Sequence, residues 1–213
     1  LRIEHKREFI DEAQYGKKFA KLLPAADYRL ASHKSERGVF TFCMCPGGVV
    51  VPAASEAGGV VTNGMSLYAR DGENSNSAVL CEITPADFYD GVLGGVELQR
   101  KIERKAFELG GKDYSAPVQR LGDYFNGEAS ARLGSVKPTY GRVTTTDLNG
   151  IFPKIVNDCL KTGILDMNTK LKGFADGDAV LTGAETRSSS PIRITRDNDF
   201  TSVSVPNLYP CGE

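Results

Sequence analysis

Val39-Phe40-Thr41-Phe42-Cys43-Met44-Cys45-Pro46-Gly47-Gly48-Val49-Val50-Val51 is the stretch that decides the fold. In period two, Phe40, Phe42 and Met44 share one face, and Val39, Thr41, Cys43 and Cys45 share the other. Residues 39–44 therefore read as a strand that is apolar on both sides. Pro46-Gly47-Gly48 breaks it and residues 49–51 resume it, as a hairpin would. Outward from this pair, residues 28–32, 60–62, 78–83, 179–182 and 192–195 read as further strands. The predicted fold class is α+β: a mixed, largely antiparallel sheet backed by one long and several shorter helices.

The long helix is predicted over residues 85–109. Thr84 stands as its N-cap, Pro85 at its first position and Asp87 three residues after the cap, while Gly110-Gly111 ends it. Gly94-Gly95 then falls in mid-helix, where each glycine costs about 1 kcal/mol relative to alanine, so a kink is expected there. Residues 6–16 read as a short amphipathic helix closed by Gly16, and residues 118–125 as another. Residues 153–162 form a helix with Gly163 as its stop, and residues 164–171 a further one. Arg70-Asp71-Gly72-Glu73-Asn74-Ser75-Asn76-Ser77 has no apolar side chain and reads as a loop, as do residues 134–145.

Composition removes several function classes. The 213 residues include 26 basic and 27 acidic side chains, a net charge of −1, so no global field would hold nucleic acid or an anionic membrane. The longest apolar run, residues 49–54, contains Pro52 and is far short of the ~20 residues of a membrane span. Five cysteines without framework spacing suit a reducing cytoplasm. The start has neither Met nor a signal region, which argues against secretion and for excision from a longer chain.

No Gly-x-Gly-x-x-Gly follows a strand and no phosphate-binding loop of the Gly-Lys-Ser/Thr type occurs, so cofactor affinity would have to come from elsewhere. Cys43 and Cys45 are either a redox pair or two inert buried thiols. Residues i and i+2 of a strand lie about 6.6 Å apart, at the edge of what a disulfide tolerates. Arg70 is the only base between residues 38 and 99, beside seven acids. It is either neutralised by Asp71 and Glu73 or held to grip an anion such as a substrate carboxylate. Arg187, followed by Ser188, Ser189 and Ser190, poses the same choice. His5 and His33 read as solvated, far from any nucleophile elbow. Asp176-Gly177-Asp178 and Asp197-Asn198-Asp199 lack the later Glu of a calcium loop and read as turns. Lys17-Lys18-Phe19-Ala20-Lys21 is too small a basic run to hold RNA.

The last stretch, Thr201-Ser202-Val203-Ser204-Val205-Pro206-Asn207-Leu208-Tyr209-Pro210-Cys211-Gly212-Glu213, reads as a short buried strand ending in a tight turn. It is similar to the second flavin fingerprint of dinucleotide-binding oxidoreductases. With Cys43-Met-Cys-Pro-Gly-Gly48, Asn63-Gly-Met-Ser66, Arg70-Asp-Gly-Glu-Asn74, Gly94-Gly-Val-Glu-Leu-Gln99, Gly134-Ser-Val-Lys-Pro138 and Glu185-Thr-Arg-Ser-Ser-Ser-Pro191, it resembles the uncharacterised bacterial FAD-dependent dehydrogenases, often called NAD(FAD)-utilising. The resemblance covers nearly the whole chain. It implies a longer parent oxidoreductase whose Gly-x-Gly-x-x-Gly half binds FAD.

By that resemblance residues 1–196 are a substrate or cap domain, and residues 197–213 a truncated return strand of the FAD-binding domain. Substrate contacts fall to Arg70, Asp71, Asn74, Arg187, Ser188 and Ser189; cofactor contacts fall to Cys45, Gly47, Gly48, Gly212 and Glu213. The three segments carrying residues 43–48, 70–74 and 187–190 are expected to converge beside the isoalloxazine. The implied partners are the missing FAD-binding half, a small-molecule substrate and NAD(P)H, with no membrane and no nucleic acid. No bound FAD and no independent catalysis are expected of this chain alone. Two rival readings remain open: a non-catalytic module docking RNA or protein, and a thiol redox module at Cys43 and Cys45.

Overall fold

The segment Arg2-Ile3-Glu4-His5-Lys6 carries a single aliphatic side chain, and it is the middle strand of the sheet. A computed structural model describes residues 1–88, 91–190 and 192–211. In chain order the elements are β1 (Arg2–Lys6), α1 (Arg7–Tyr15), β2 (Ala31–Ser32), β3 (Val39–Cys45), β4 (Gly48–Pro52), β5 (Thr62–Ser66) and β6 (Asn74–Cys81). After a 3-10 turn at Pro85–Asp87 come α2 (Gly94–Leu109), β7 (Ala116–Arg120), α3 (Leu121–Asn126), β8 (Val143–Thr145), α4 (Lys154–Lys170) and β9 (Val180–Thr182). Seven strands pair in the order β2-β3-β6-β1-β9-β7-β8, and only β7 and β8 run parallel. β4 and β5 form a separate antiparallel ladder. The protein is α+β with a largely antiparallel sheet, as its patterning predicts.

The register divides the sheet chemically. Arg2 pairs with Ala78 and Ile3 with Ser77, while Phe42 pairs with Ala78 and Thr41 with Val79. Alternation then puts Ile3, Val39 and Val79 on one face and Arg2, Glu4, Asn74 and Asn76 on the other. The apolar face is covered by α4, which crosses β2, β3 and β6. Val156, Leu160, Ile164 and Met167 are buried there. A Cβ at Gly163 would lie 2.6 Å from Val39 Cβ, so the missing side chain lets helix and strand touch. Gly163 is thus a contact inside one helix of 17 residues, and not the stop the sequence suggests.

The polar face is buried as well, because most of its groups pair with one another; among the described residues only Asn74 Oδ1 and Asn76 Nδ2 of the four side chains named lack a partner. Arg2 and Glu4 are each 0% exposed. The β4–β5 ladder lies over them so closely that a Cβ at Gly64 would meet Arg2 Nη1 at 2.2 Å.

Several local readings are corrected. Pro46-Gly47-Gly48 does not join a hairpin: β3 pairs with β2 and β6, while β4 pairs with β5. The Cys43 and Cys45 alternation is broken by a bulge after Phe42, where Cys43 takes φ 46° and is exposed while Cys45 is buried. Residues 74–77 are not loop but the buried start of β6, since a polar strand is stable beside the polar β1. The capping box at Thr84 and Asp87 is present, yet it closes only the 3-10 turn. Phe88 is extended at φ −131° and Gly91 sits at φ 123°, both outside the helical basin. Helix α2 therefore starts at Gly94, and Gly94-Gly95 is its first turn and not a kink.

Of the strand expected over residues 28–32 only Ala31–Ser32 pairs, and residues 118–125 split into the end of β7 and α3. Residues 134–145 include β8. Residues 192–195 form no strand; an isolated bridge joins Arg196 to Ser202. The expected buried strand at 201–209 is exposed instead, with Val203 at 67% and Tyr209 at 62%. His5 is buried, its Nε2 2.8 Å from the Phe174 carbonyl, and not solvated. Among the described residues no helix is long and apolar enough to cross a membrane.

Candidate substrate-binding cleft

A cavity of about 510 Å³ opens where β1 begins and β6 ends, between the sheet and α2. Such a volume falls within the range of small-molecule sites, about 300–1,000 Å³. Phe40, Leu80, Leu98 and Phe152 supply apolar wall, and Gln99 with Ser188, Ser189 and Ser190 supplies a polar one. The amphipathic spacing of α2 explains the division: Leu98 and Ile102 face inward one turn apart, and Gln99 stands at the rim. Cys81 also lines the cavity, but burial pushes its thiol up to about 12, which keeps it protonated and a poor nucleophile.

The serine wall is held by the three residues before it. Glu185 receives both Arg2 Nε and Arg2 Nη2 at 2.6 Å. Thr186 accepts Gln99 Nε2 on its carbonyl at 2.8 Å and donates its hydroxyl to Glu103 at 2.6 Å. Arg187 grips the same Glu103 carboxylate with Nε at 2.6 Å and Nη2 at 2.9 Å. Its guanidinium pKa is raised chiefly by that hydrogen bonding to Glu103. Residues 185–187 are thus fastened to the sheet and to α2 in turn.

Arg2 is the hub of this arrangement. Its remaining N–H groups reach the Cys43 carbonyl at 3.0 Å, Asn76 Oδ1 at 2.9 Å and Asn63 Oδ1 at 3.3 Å. All five guanidinium donors have an oxygen. Nearby, Glu4 accepts from Thr139 and from Asn74 Nδ2, while burial raises its carboxyl pKa.

The anticipated site residues fall into two groups at opposite ends of the strands. Gly47 and the loop of Arg70, Asp71 and Gly72 meet: the Gly47 carbonyl accepts the Gly72 N–H, and a Cβ at Gly47 would lie 1.9 Å from the Arg70 carbonyl. Gly47 is at φ 51°, so a tight turn against a second chain segment accounts for this glycine. Gly48 is pressed just as closely on the Met65 carbonyl. Arg70 and Asp71 are exposed, and Arg70 makes no ion pair among the described residues. Glu73 is paired with Lys6 instead. Asn74 is buried and committed to Glu4 and the Lys137 carbonyl.

Arg187, Ser188 and Ser189 belong to the other end. Gly48 pairs with Ser66 at one end of the β4–β5 ladder, and Thr62, at its other end, bonds the Ala184 carbonyl. The two groups are thus a ladder length apart, about 13 Å at 3.3 Å per residue. Two of the three expected segments converge and the third does not. Gly212 and Glu213 lie outside the described residues.

Phe40, Leu98, Gln99, Phe152 and the hub Arg2 were not singled out from the sequence. The one usable signal was Gln99, at the end of the Gly94-Gly-Val-Glu-Leu-Gln99 motif. The apolar wall comes from strands and helices distant in sequence, which no local pattern marks.

The architecture is that of an α+β domain, a mixed sheet with a cleft between it and a long helix. More particularly, the chain belongs to the family described as "FAD-dependent protein, C-terminal domain-like", whose model matches residues 1–188. It is similar to an uncharacterised protein of Clostridium beijerinckii, 48% identical over 218 residues that include all of this chain. The chain spans 41% of that relative's length.

The Gly47 N–H is spent on Ser75 Oγ and its carbonyl on Gly72, and Gly48 is covered by β5, so this turn presents no phosphate cradle. Among the described residues no cluster of His, Cys, Asp and Glu could hold a metal ion.

Proposed function

We propose that this chain is the substrate-binding domain of an FAD-dependent oxidoreductase of the dehydrogenase kind, with FAD held by another part of a longer parent. The cleft between α2 and the sheet is its substrate chamber. The observation that carries this reading is the serine wall, fixed by Arg2, Gln99 and Glu103 through residues 185–187 while Ser188, Ser189 and Ser190 face the cavity. A rigid polar edge facing an apolar wall is what orienting a small molecule requires.

In this reading residues 1–196 form the substrate domain, and residues 197–211 lead toward the FAD-binding part. The exposed Val203, Val205, Leu208 and Tyr209 would be covered by that part of the same parent. A pyridine nucleotide then serves as hydride partner. The contributions of this chain are binding, orientation and exclusion of water. A cytoplasmic location would suit five cysteines without disulfide-framework spacing.

Amide NMR on the chain with a library of aromatic fragments tests the chamber. Binders should shift Gln99 and residues 188–190. Binders confined to the seam between Gly47 and Gly72, or none at all, would remove the proposal.

A further inference from the structure

The cleft does not end at the serines. Gln99, Ser188, Ser189 and Ser190 are shared with a second, open chamber of about 1080 Å³, which is also lined by Arg187, Arg193 and Arg196. Charge separates the two. Both acids among the described lining of the first chamber are engaged internally, Glu185 by Arg2 and Glu82 by the Gly38 N–H at 3.0 Å. The only acid among the described lining of the second is Asp197, whose Oδ1 caps its own turn by accepting the N–H groups of Asp199 and Thr201.

The arginines are not equivalent. Arg187 is neutralised by Glu103, with Glu56 at 3.5 Å. Arg196 donates to the Pro210 carbonyl at 2.8 Å and lies 5.7 Å from the Phe200 ring centroid, so among the described residues it has a neutral acceptor and an aromatic face but no carboxylate partner. Arg193 makes no ion pair or hydrogen bond among the described residues. Two guanidinium groups that no carboxylate compensates among the described residues therefore line a concave space, which shares Gln99, Ser188, Ser189 and Ser190 with an apolar room lined by Phe40, Phe88 and Phe152.

We infer that the cleft takes a ligand with a flat apolar body and an anionic head, the body among the phenylalanines and the head on Arg193 and Arg196. This rests on the substrate-chamber reading and deepens it. It also moves the anion anchor away from Arg70 and Arg187. Arginine forks match carboxylate and phosphate alike. The head could thus belong to an aryl carboxylate or to a phosphorylated ring compound.

The test is calorimetric titration of the 213-residue chain, with NMR mapping, using 2-naphthylacetate, its neutral isostere 2-naphthylacetamide and 2-naphthyl phosphate. The acetate should bind about tenfold tighter than the amide, the scale of a partly screened charge-assisted contact. The double variant R193Q/R196Q should erase that difference while the affinity for the amide holds, and K21Q, at an exposed lysine away from the cleft, should keep it. The stronger of acetate and phosphate identifies the kind of head. Equal binding of acetate and amide, with both shifting residues 188–190, overturns the anionic head and leaves the chamber standing. Binding of neither probe at these residues overturns both.

Discussion

Replacing Arg2 by Met removes the cation that pairs with Glu185, and the structure sets the size of the loss. The ion pair is bidentate at 2.6 Å with side-chain exposures of 0% and 5%, so solvent cannot take over for the missing partner. The variant leaves a carboxylate in a residue that is 9% exposed, and it also strips a donor from the Cys43 carbonyl, Asn76 and Asn63. Breaking one side of a buried pair costs about 3–5 kcal/mol, a large part of the roughly 5–15 kcal/mol that holds a domain together. For a chain of this size that is a fall in Tm of roughly 6–20 °C. Thermal and urea unfolding monitored by circular dichroism read it directly. The double variant R2M/E185M should recover a good part of the loss, because it buries two apolar side chains instead of one orphaned charge. R2M within about 1 kcal/mol of the parent, or a double variant as poor as the sum of the singles, refutes the role of Arg2 as hub.

Three further outcomes follow from the same geometry. G163A should lose stability even though alanine favours a helix by about 1 kcal/mol, because its Cβ would stand 2.6 Å from Val39 Cβ and overpacking costs about 1–3 kcal/mol; a stabilised variant in urea unfolding would show the contact is not tight. His5, whose pKa burial lowers from 6.5 to about 4, favours folding in its neutral form, so its contribution is whole above pH 6.5 and falls by up to about 3 kcal/mol as pH drops to 4. H5Q should flatten that slope in pH-dependent unfolding, and an unchanged slope would assign it elsewhere. Under native conditions a thiol reagent should label the exposed Cys43 and Cys211 quickly and leave Cys45 and Cys159 untouched, counted by mass spectrometry; rapid labelling of Cys45, or a bond between Cys43 and Cys45 after mild oxidant, would restore the redox reading.

How much of this was legible in the sequence differs by element, for physical reasons. Strand β3 and helix α4 bury side chains in a regular period, and that period survives in the chain as Val39 and Thr41, or as Val156, Leu160, Ile164 and Met167. Strands β1 and the start of β6 carry the opposite signal. Arg2, Glu4, Asn74 and Asn76 read as solvent-facing residues, because a single sequence cannot show that two polar strands lie side by side and bond Arg2 to Asn76 and Asn74 to Glu4. The false hairpin at Pro46-Gly47-Gly48 has a similar origin: turn chemistry tells where the chain bends, and not which partner it meets afterwards. In the cleft, the serines were visible as a polar motif, whereas the phenylalanines that give it an apolar wall are separated by more than a hundred residues and only the fold joins them.

The polar sheet centre and the cleft are one construction. Arg2 fixes Glu185 from the middle strand, Gln99 and Glu103 fix Thr186 and Arg187 from α2, and the serines follow at once. An apolar pair at the position of Arg2 and Glu185 could hold the sheet as well, but it would not fix the direction in which the chain leaves β9, since apolar contacts are non-directional and bidentate hydrogen bonds are not. The charge in the core is thus better explained by placement of the serine wall than by stability. That view separates two measurable quantities: R2M/E185M should regain stability while its affinity for a cleft ligand stays below that of the parent. Recovery of both together would mean that the buried pair holds only the fold.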